Sequence, residues 1–206
     1  MLDADSTLIR EEAIELLADA AGSLALVASV TERAMRGELD FAASLRERVA
    51  TLEGLDVSVF DGVRALMTPT DGVPELVAGV HAVGGRIGVV SGGFHELLDP
   101  LAARLGLDFC RANRLEVDGG RLTGRVRGDI VDAHAKAMAL DEWATASGIR
   151  LDRTVAVGDG ANDLEMLGRA RLGIAFCAKP VVRERADVAI DTPDLSAVLP
   201  LLGLRG

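Results

Sequence analysis

The chain has 206 residues, 49% hydrophobic and 26% charged, enough apolar material to bury a core without staples. Its formal net charge is −10, with no basic stripe and only 3% aromatics, which argues against nucleic acid as a partner. No run approaches the ~20 apolar residues of a membrane helix, no signal peptide is recognisable, and the expectation is a cytoplasmic protein with no membrane partner. The two cysteines, Cys110 and Cys177, stand alone in apolar segments and are expected to be buried free thiols.

The chain opens on MLDADST, where Asp3, Asp5, Ser6 and Thr7 read as a loop following a strand. Such a strand should be central and ~5–6 residues long. Only Met1 and Leu2 precede Asp3, so the first strand is expected to be truncated, leaving its neighbours' backbone groups unpaired and Asp3 poorly anchored.

From Glu11 to about Thr68 the pattern is helical. EEAIELLADAAG sets Ile14, Leu17 and Ala21 on one face and stops at Gly22, and the next two helical segments each close on a glycine. After Pro74 the texture changes. PELVAGVHAVG reads as a helix, RIGVVSGG as a buried strand, HELLDPLAARLG as a helix, and NRLEVDGGRLTGRV as a hairpin around Asp118-Gly119-Gly120. DAHAKAMALDEWATASG is helical, RTVAVGDGAND is a strand entering a glycine-rich turn, and strand–helix alternation continues to DVAI. The fold class is α/β: a three-layer Rossmann-like core with a parallel sheet, a small α-helical cap inserted after the first loop, and a β-hairpin. The core is expected over residues 1–9 and 72–206, the cap over 10–71.

In such sheets ligands bind outside the carboxyl ends of the strands. Three segments offer polar groups there: DADST, VVSGG and VGDGAND, with Lys136 on the helix before the last. Singly, each has a plain structural alternative: a helix N-cap, a tight turn, a surface turn and a solvated charge. Together they form a phosphate chemistry. Asp3 and Asp159 can share a Mg²⁺, which prefers oxygen ligands. A carboxylate beside it can attack phosphorus. Ser91 and the amides of Gly92 and Gly93 make an anion nest, and Lys136 can neutralise phosphoryl oxygens. Among 22 basic residues only Lys136 and Lys179 are lysines. A lysine where arginine is the norm suggests a geometric demand, though this does not single out Lys136.

DADSTLIREE, VVSGGF, Lys136 and VAVGDGAND resemble the four motifs of the haloacid dehalogenase superfamily of phosphotransferases. Within it the likeness is greatest to the phosphoserine phosphatase family, over essentially the whole chain, including AMRGELDFAASLRERV, LDFCRANRLEV and AFCAKP. The resemblance implies Mg²⁺-dependent hydrolysis of O-phospho-L-serine. Asp3 would be nucleophile and metal ligand. Asp5 would be general acid and then base, binding the metal through its carbonyl. Ser91 and Gly92 would hold the phosphoryl group, Lys136 would bridge it to Asp3, and Asp159 would complete the metal's protein ligands. Asn162 and Asp163 would contact substrate and orient metal-bound water. In the cap, Glu12 would face the substrate's amino group and Arg48 its carboxylate, with Met35 and Phe41 as apolar walls. Those four positions also fit ordinary helix-start, surface and core roles. Another small phosphate ester such as phosphohomoserine, transfer to a second alcohol, and a non-catalytic phosphate-binding module stay open, as does a homodimer.

Overall fold

The structure, a computed structural model, describes residues 1–204. Its centre is a parallel sheet built from two three-stranded halves. In one half, β1 (Gly88–Phe94) pairs in parallel with β2 (Phe109–Asp118), whose second part pairs antiparallel with β3 (Arg121–Arg127). In the other, β4 (Val155–Gly158), β5 (Leu172–Phe176) and β6 (Val188–Ile190) run parallel. Gly119 and Gly120, both at positive φ, make the two-residue turn between β2 and β3, as the hairpin signal predicts.

Leu2 joins the halves. It bridges in parallel to Val89 on one side and Val157 on the other. Its N–H donates to the Gly88 carbonyl at 2.8 Å, its carbonyl accepts from Val90 at 2.9 Å, and the Asp3 N–H donates to the Val157 carbonyl at 2.9 Å. With its side chain 2% exposed, Leu2 is a rung of the sheet, and Asp3 is anchored on it. The poor anchoring expected of so short a run is therefore not what the structure contains. Parallel pairing to both neighbours satisfies the backbone of each residue present.

Alternation along the strands sorts the core into two faces. Leu2, Val89, Val157, Ile174 and Phe176 join one cluster with α5 (Val73–Ala82), α6 (His95–Leu105) and α10 (Val198–Leu201). Val90, Ala156 and Ala175 join the other with α7 (Ala133–Ala146), α8 (Leu164–Arg169) and α9 (Pro180–Arg183). Consecutive residues such as Val89 and Val90 thus serve opposite layers. That is why these strands read as unbroken apolar runs.

Four helices, α1 (Ala13–Ala20), α2 (Leu24–Met35), α3 (Phe41–Ala50) and α4 (Val59–Leu66), follow the first loop. The chain enters and leaves this segment as an antiparallel pair. Ile9 bridges Pro69, the Arg10 N–H donates to Thr68, and the Thr70 N–H donates to Leu8. Ala13, Ile14 and Leu17 of α1, Leu45 and Val49 of α3, and Phe60 and Val63 of α4 belong to the first cluster, so the helical segment shares the core's apolar interior. The hairpin reaches it as well: Gly54 and Val57 donate to Leu122 and Gly120. Of the two thiols, Cys110 is half-buried but Cys177 is exposed, at φ 45 on the turn after β5. The apolar run before Cys177 ends with Phe176, so the expectation of burial fails there. Among the described residues no helix is long and apolar enough to cross a membrane.

Candidate active site

At the carboxyl ends of the strands, three loops and the start of a helix converge. The first is the turn Ala4–Leu8, closed by Leu8 and Ile9 N–H groups reaching back to Asp3 and Ala4 carbonyls. Ser6 takes φ 56 in it, a conformation uncommon outside glycine that marks a loop held by its surroundings. This turn puts Asp3 at the floor, 4% exposed, and Asp5 above it, where its Oδ1 accepts the Ala13 N–H at 3.0 Å. The start of α1 thus gives Asp5 an N–H that has no partner within the helix, an interaction that favours a carboxylate.

Lys136 comes up from α7, whose N-cap Asp132 accepts the Ala135 N–H at 2.9 Å. The lysine is 1% exposed and its Nζ donates to Asp3 Oδ1 at 2.5 Å and Asp163 Oδ1 at 2.8 Å. Burial alone would lower its pKa, but the charges of Asp3 and Asp163 outweigh it and raise it. Asp163 spends its second oxygen on the loop itself, accepting the N–H groups of Asp159 at 3.1 Å and Gly160 at 3.0 Å. Gly158 is required beneath it, because a Cβ there would stand 2.4 Å from Asp163 Oδ2.

Asp3, Asp159 and Asp163 lie within 4.8 Å of one another by their ligand atoms. Asp163 is fully committed to Lys136 and the turn, whereas Asp3 has one oxygen outside the lysine bond. Among the described residues the Asp159 carboxylate receives only a 3.5 Å contact from Thr7 Oγ1. The all-oxygen donor set available to a divalent ion is therefore Asp3 and Asp159, and the residues fit a hard cation. Burial raises Asp3 well above the usual carboxylate range, helped by the Asp163 charge and opposed by Lys136. Asp5 is raised to about 7 by burial and the Glu12 charge. Asp159 is raised to about 6 by burial and then by Asp163 and Glu12. Crowded carboxylates that resist ionising together are the electrostatic signature of a cation site.

The phosphate-nest residues are also together. Ser91 is 1% exposed, and its Oγ accepts the Gly93 N–H at 2.8 Å. The Phe41 ring covers Gly92 so closely that a Cβ would meet it at 2.7 Å. Glu12 is exposed at the mouth and accepts from Ser6 Oγ at 2.8 Å. Arg48, half-buried on α3, donates from Nε to the Ser44 carbonyl at 3.3 Å. Burial lowers its pKa, while the charges of Glu12, Asp5 and Glu15 act the other way. Asn162 is half-buried beside Gly160. Met35 stands apart, 75% exposed at the end of α2. Three residues to which the sequence assigns no individual role brace the loops. Thr70 Oγ1 donates to the Thr7 carbonyl at 2.6 Å, Thr7 reaches Asp159, and buried Asn113 bonds the Gly92 carbonyl. An asparagine inside a strand-like run, where that residue is depleted, was the available signal for the last.

A buried carboxylate bonded to a buried ammonium, a serine–glycine loop and an acidic pair at one sheet rim suit phosphoryl transfer. Residues 1–168 match the family model described as haloacid dehalogenase-like hydrolase. A phosphoserine phosphatase of Streptomyces coelicolor is 55% identical over 99% of this chain, which spans 50% of that protein. One from Streptococcus thermophilus is 52% identical, covering 98% of this chain and 94% of its own length. A solved substrate-bound phosphoserine phosphatase complex superimposes with a TM-score of 0.91 at 42% identity, over 98% of this chain and 96% of the other. The chain belongs to the haloacid dehalogenase-like hydrolases, in the branch of the phosphoserine phosphatases.

Proposed function

We propose that this chain hydrolyses O-phospho-L-serine to L-serine and phosphate, with Mg²⁺ as its metal and Asp3 as nucleophile. The observation that carries the reading is Lys136, sealed from water and bonded to both Asp3 and Asp163. A fixed ammonium next to a carboxylate nucleophile orients Asp3 and opposes the rise in pKa that burial imposes on it.

The Asp3 carboxylate attacks phosphorus, the P–O bond to the serine oxygen breaks, and that oxygen takes the proton held by Asp5. Water then gives a proton to Asp5 and attacks the phosphoaspartyl group, releasing phosphate and restoring Asp3. Asp5, raised to about 7, is suited to both transfers, since a group near the working pH gives and takes a proton with comparable ease. Asp3, Asp159 and the Asp5 carbonyl would hold Mg²⁺, which when bound draws charge from the phosphoryl oxygens. Ser91 and the Gly92 amide hold the phosphoryl group, while Asn162 contacts substrate and Asp163 keeps the loop and Lys136 in place. Glu12 answers the ammonium of the serine head group and Arg48 its carboxylate. Phe41 walls the pocket, and the cap, residues 10–71, closes to bring Met35 against it and exclude water.

Phosphate release from a panel of phosphate esters, with and without Mg²⁺, tests this. Phosphoserine should be turned over well ahead of sugar phosphates, only with the metal, and Asp3→Asn should fall to background while remaining folded. Equal turnover across the panel would overturn the amino-acid assignment. Absence of any Mg²⁺-dependent release in the wild type would overturn the enzyme.

A further inference from the structure

Between the phosphate loop and α7 lies a buried amide that the catalytic scheme above does not use. Asn113, on β2, is 2% exposed. Its Nδ2 donates to the Gly92 carbonyl at 2.8 Å, and its Oδ1 accepts the Val131 N–H at 2.8 Å. An amide buried this deeply is costly unless both ends are bonded. Here one end serves the phosphate loop and the other serves the approach to α7.

The first bond fixes a peptide plane. The Gly92 carbonyl and the Gly93 N–H belong to one trans unit and so point opposite ways. With the carbonyl drawn to Asn113, the N–H is turned to Ser91 Oγ, to which it donates at 2.8 Å. A hydroxyl that accepts from a backbone amide keeps its own proton to donate. The peptide lies between two glycines, which permit other orientations freely, so the side-chain bond selects this one. The second bond holds Val131, one residue before the Asp132 N-cap of the helix that carries Lys136.

We infer that Asn113 is a positioning residue for phosphoryl binding. It orients the Gly92–Gly93 peptide so that Ser91 presents a hydroxyl proton, and it keys that loop to the helix delivering Lys136. This rests on the phosphatase reading given above.

Asn113→Asp tests it, because aspartate keeps the size and can still accept from Val131. Ionised, it sets two acceptors against each other at Gly92; protonated, its hydroxyl donates as the amide did. Affinity for inorganic phosphate, read by calorimetry with Mg²⁺ at about pH 8, should fall roughly tenfold, the size of one lost hydrogen bond. KM should rise more than kcat falls, and the wild-type-to-variant ratio of kcat/KM should shrink as pH is lowered. A folded variant with unchanged phosphate affinity, or a ratio independent of pH, overturns the inference. Should Asn113→Asp not fold, Asn113→Ser takes its place, with the same loss of phosphate affinity expected and its absence equally decisive. Phosphate binding is read without turnover. A wild type that binds phosphate but ignores phosphoserine would sink the substrate assignment and leave the test of Asn113 standing.

Discussion

Alongside Asp3, the carboxyls of Asp5 and Asp159 give the site its pH dependence. Their pKa values rise from 3.8 to about 7 and about 6, in both cases chiefly through burial. Each holds its proton more tightly folded than unfolded, so between about pH 4 and 7 the folded state binds more protons and stability falls as pH rises. A divalent cation relieves the same crowding. Melting temperature of the metal-free protein should therefore decline across this window, and the gain from added Mg²⁺ should be larger at about pH 8 than at about pH 5. A gain independent of pH would contradict the electrostatic account. Much of the site was legible residue by residue, because polar groups at the ends of apolar runs stand out: Asp3, Asp5, Ser91 and Asp159 all do. What was not legible is division of labour. Nothing in GDGAND says that Asp163 gives one oxygen to Lys136 and the other to two backbone amides, since that depends on a helix arriving from elsewhere.

The helical segment divides the work differently from the strands. Its helical character was readable from periodicity and closing glycines, although α2 begins at Leu24, well before the VTERAMRG stretch that signalled it. Their substrate-facing roles were not, because Glu12, Met35, Phe41 and Arg48 look the same on paper whether they line a pocket, a core or a surface. The structure separates them: Phe41 lies on Gly92, Arg48 is half-buried near Glu12 and Asp5, and Met35 is exposed. If Glu12 and Arg48 read the head group, Glu12→Gln and Arg48→Ala should each raise KM for phosphoserine by roughly 10–100-fold, the range of one or two charge-assisted bonds. Turnover of p-nitrophenyl phosphate should hardly change. Equal losses on both substrates would show that these residues support the fold or the chemistry instead. The β2–β3 hairpin was read correctly as a hairpin, but its bonds to Gly54 and Val57 were invisible. They pair segments far apart in the chain through backbone atoms alone.

In the molecule as a whole, the backbone pairing that joins the two half-sheets among the described residues runs through Met1, Leu2 and Asp3. Leu2→Ala should cost ~2–5 kcal/mol, the range for emptying a buried leucine site. It should weaken phosphate binding too, because Asp3 is the next residue; a melt and a phosphate titration check both. The ligands sit across that join: Ser91 hangs from one half, Asp159 from the other, and Asp3 from the join itself. Occupancy then acts as a suture. Each bound ligand stabilises the folded state as RT ln(1 + [L]/Kd), so the vacant protein should open more readily to a protease. Digestion under native conditions should slow when Mg²⁺ and phosphate are added together, with the first cuts mapping beside β1 and β4. In a cell, such a protein would be cleared fastest when it had nothing to do.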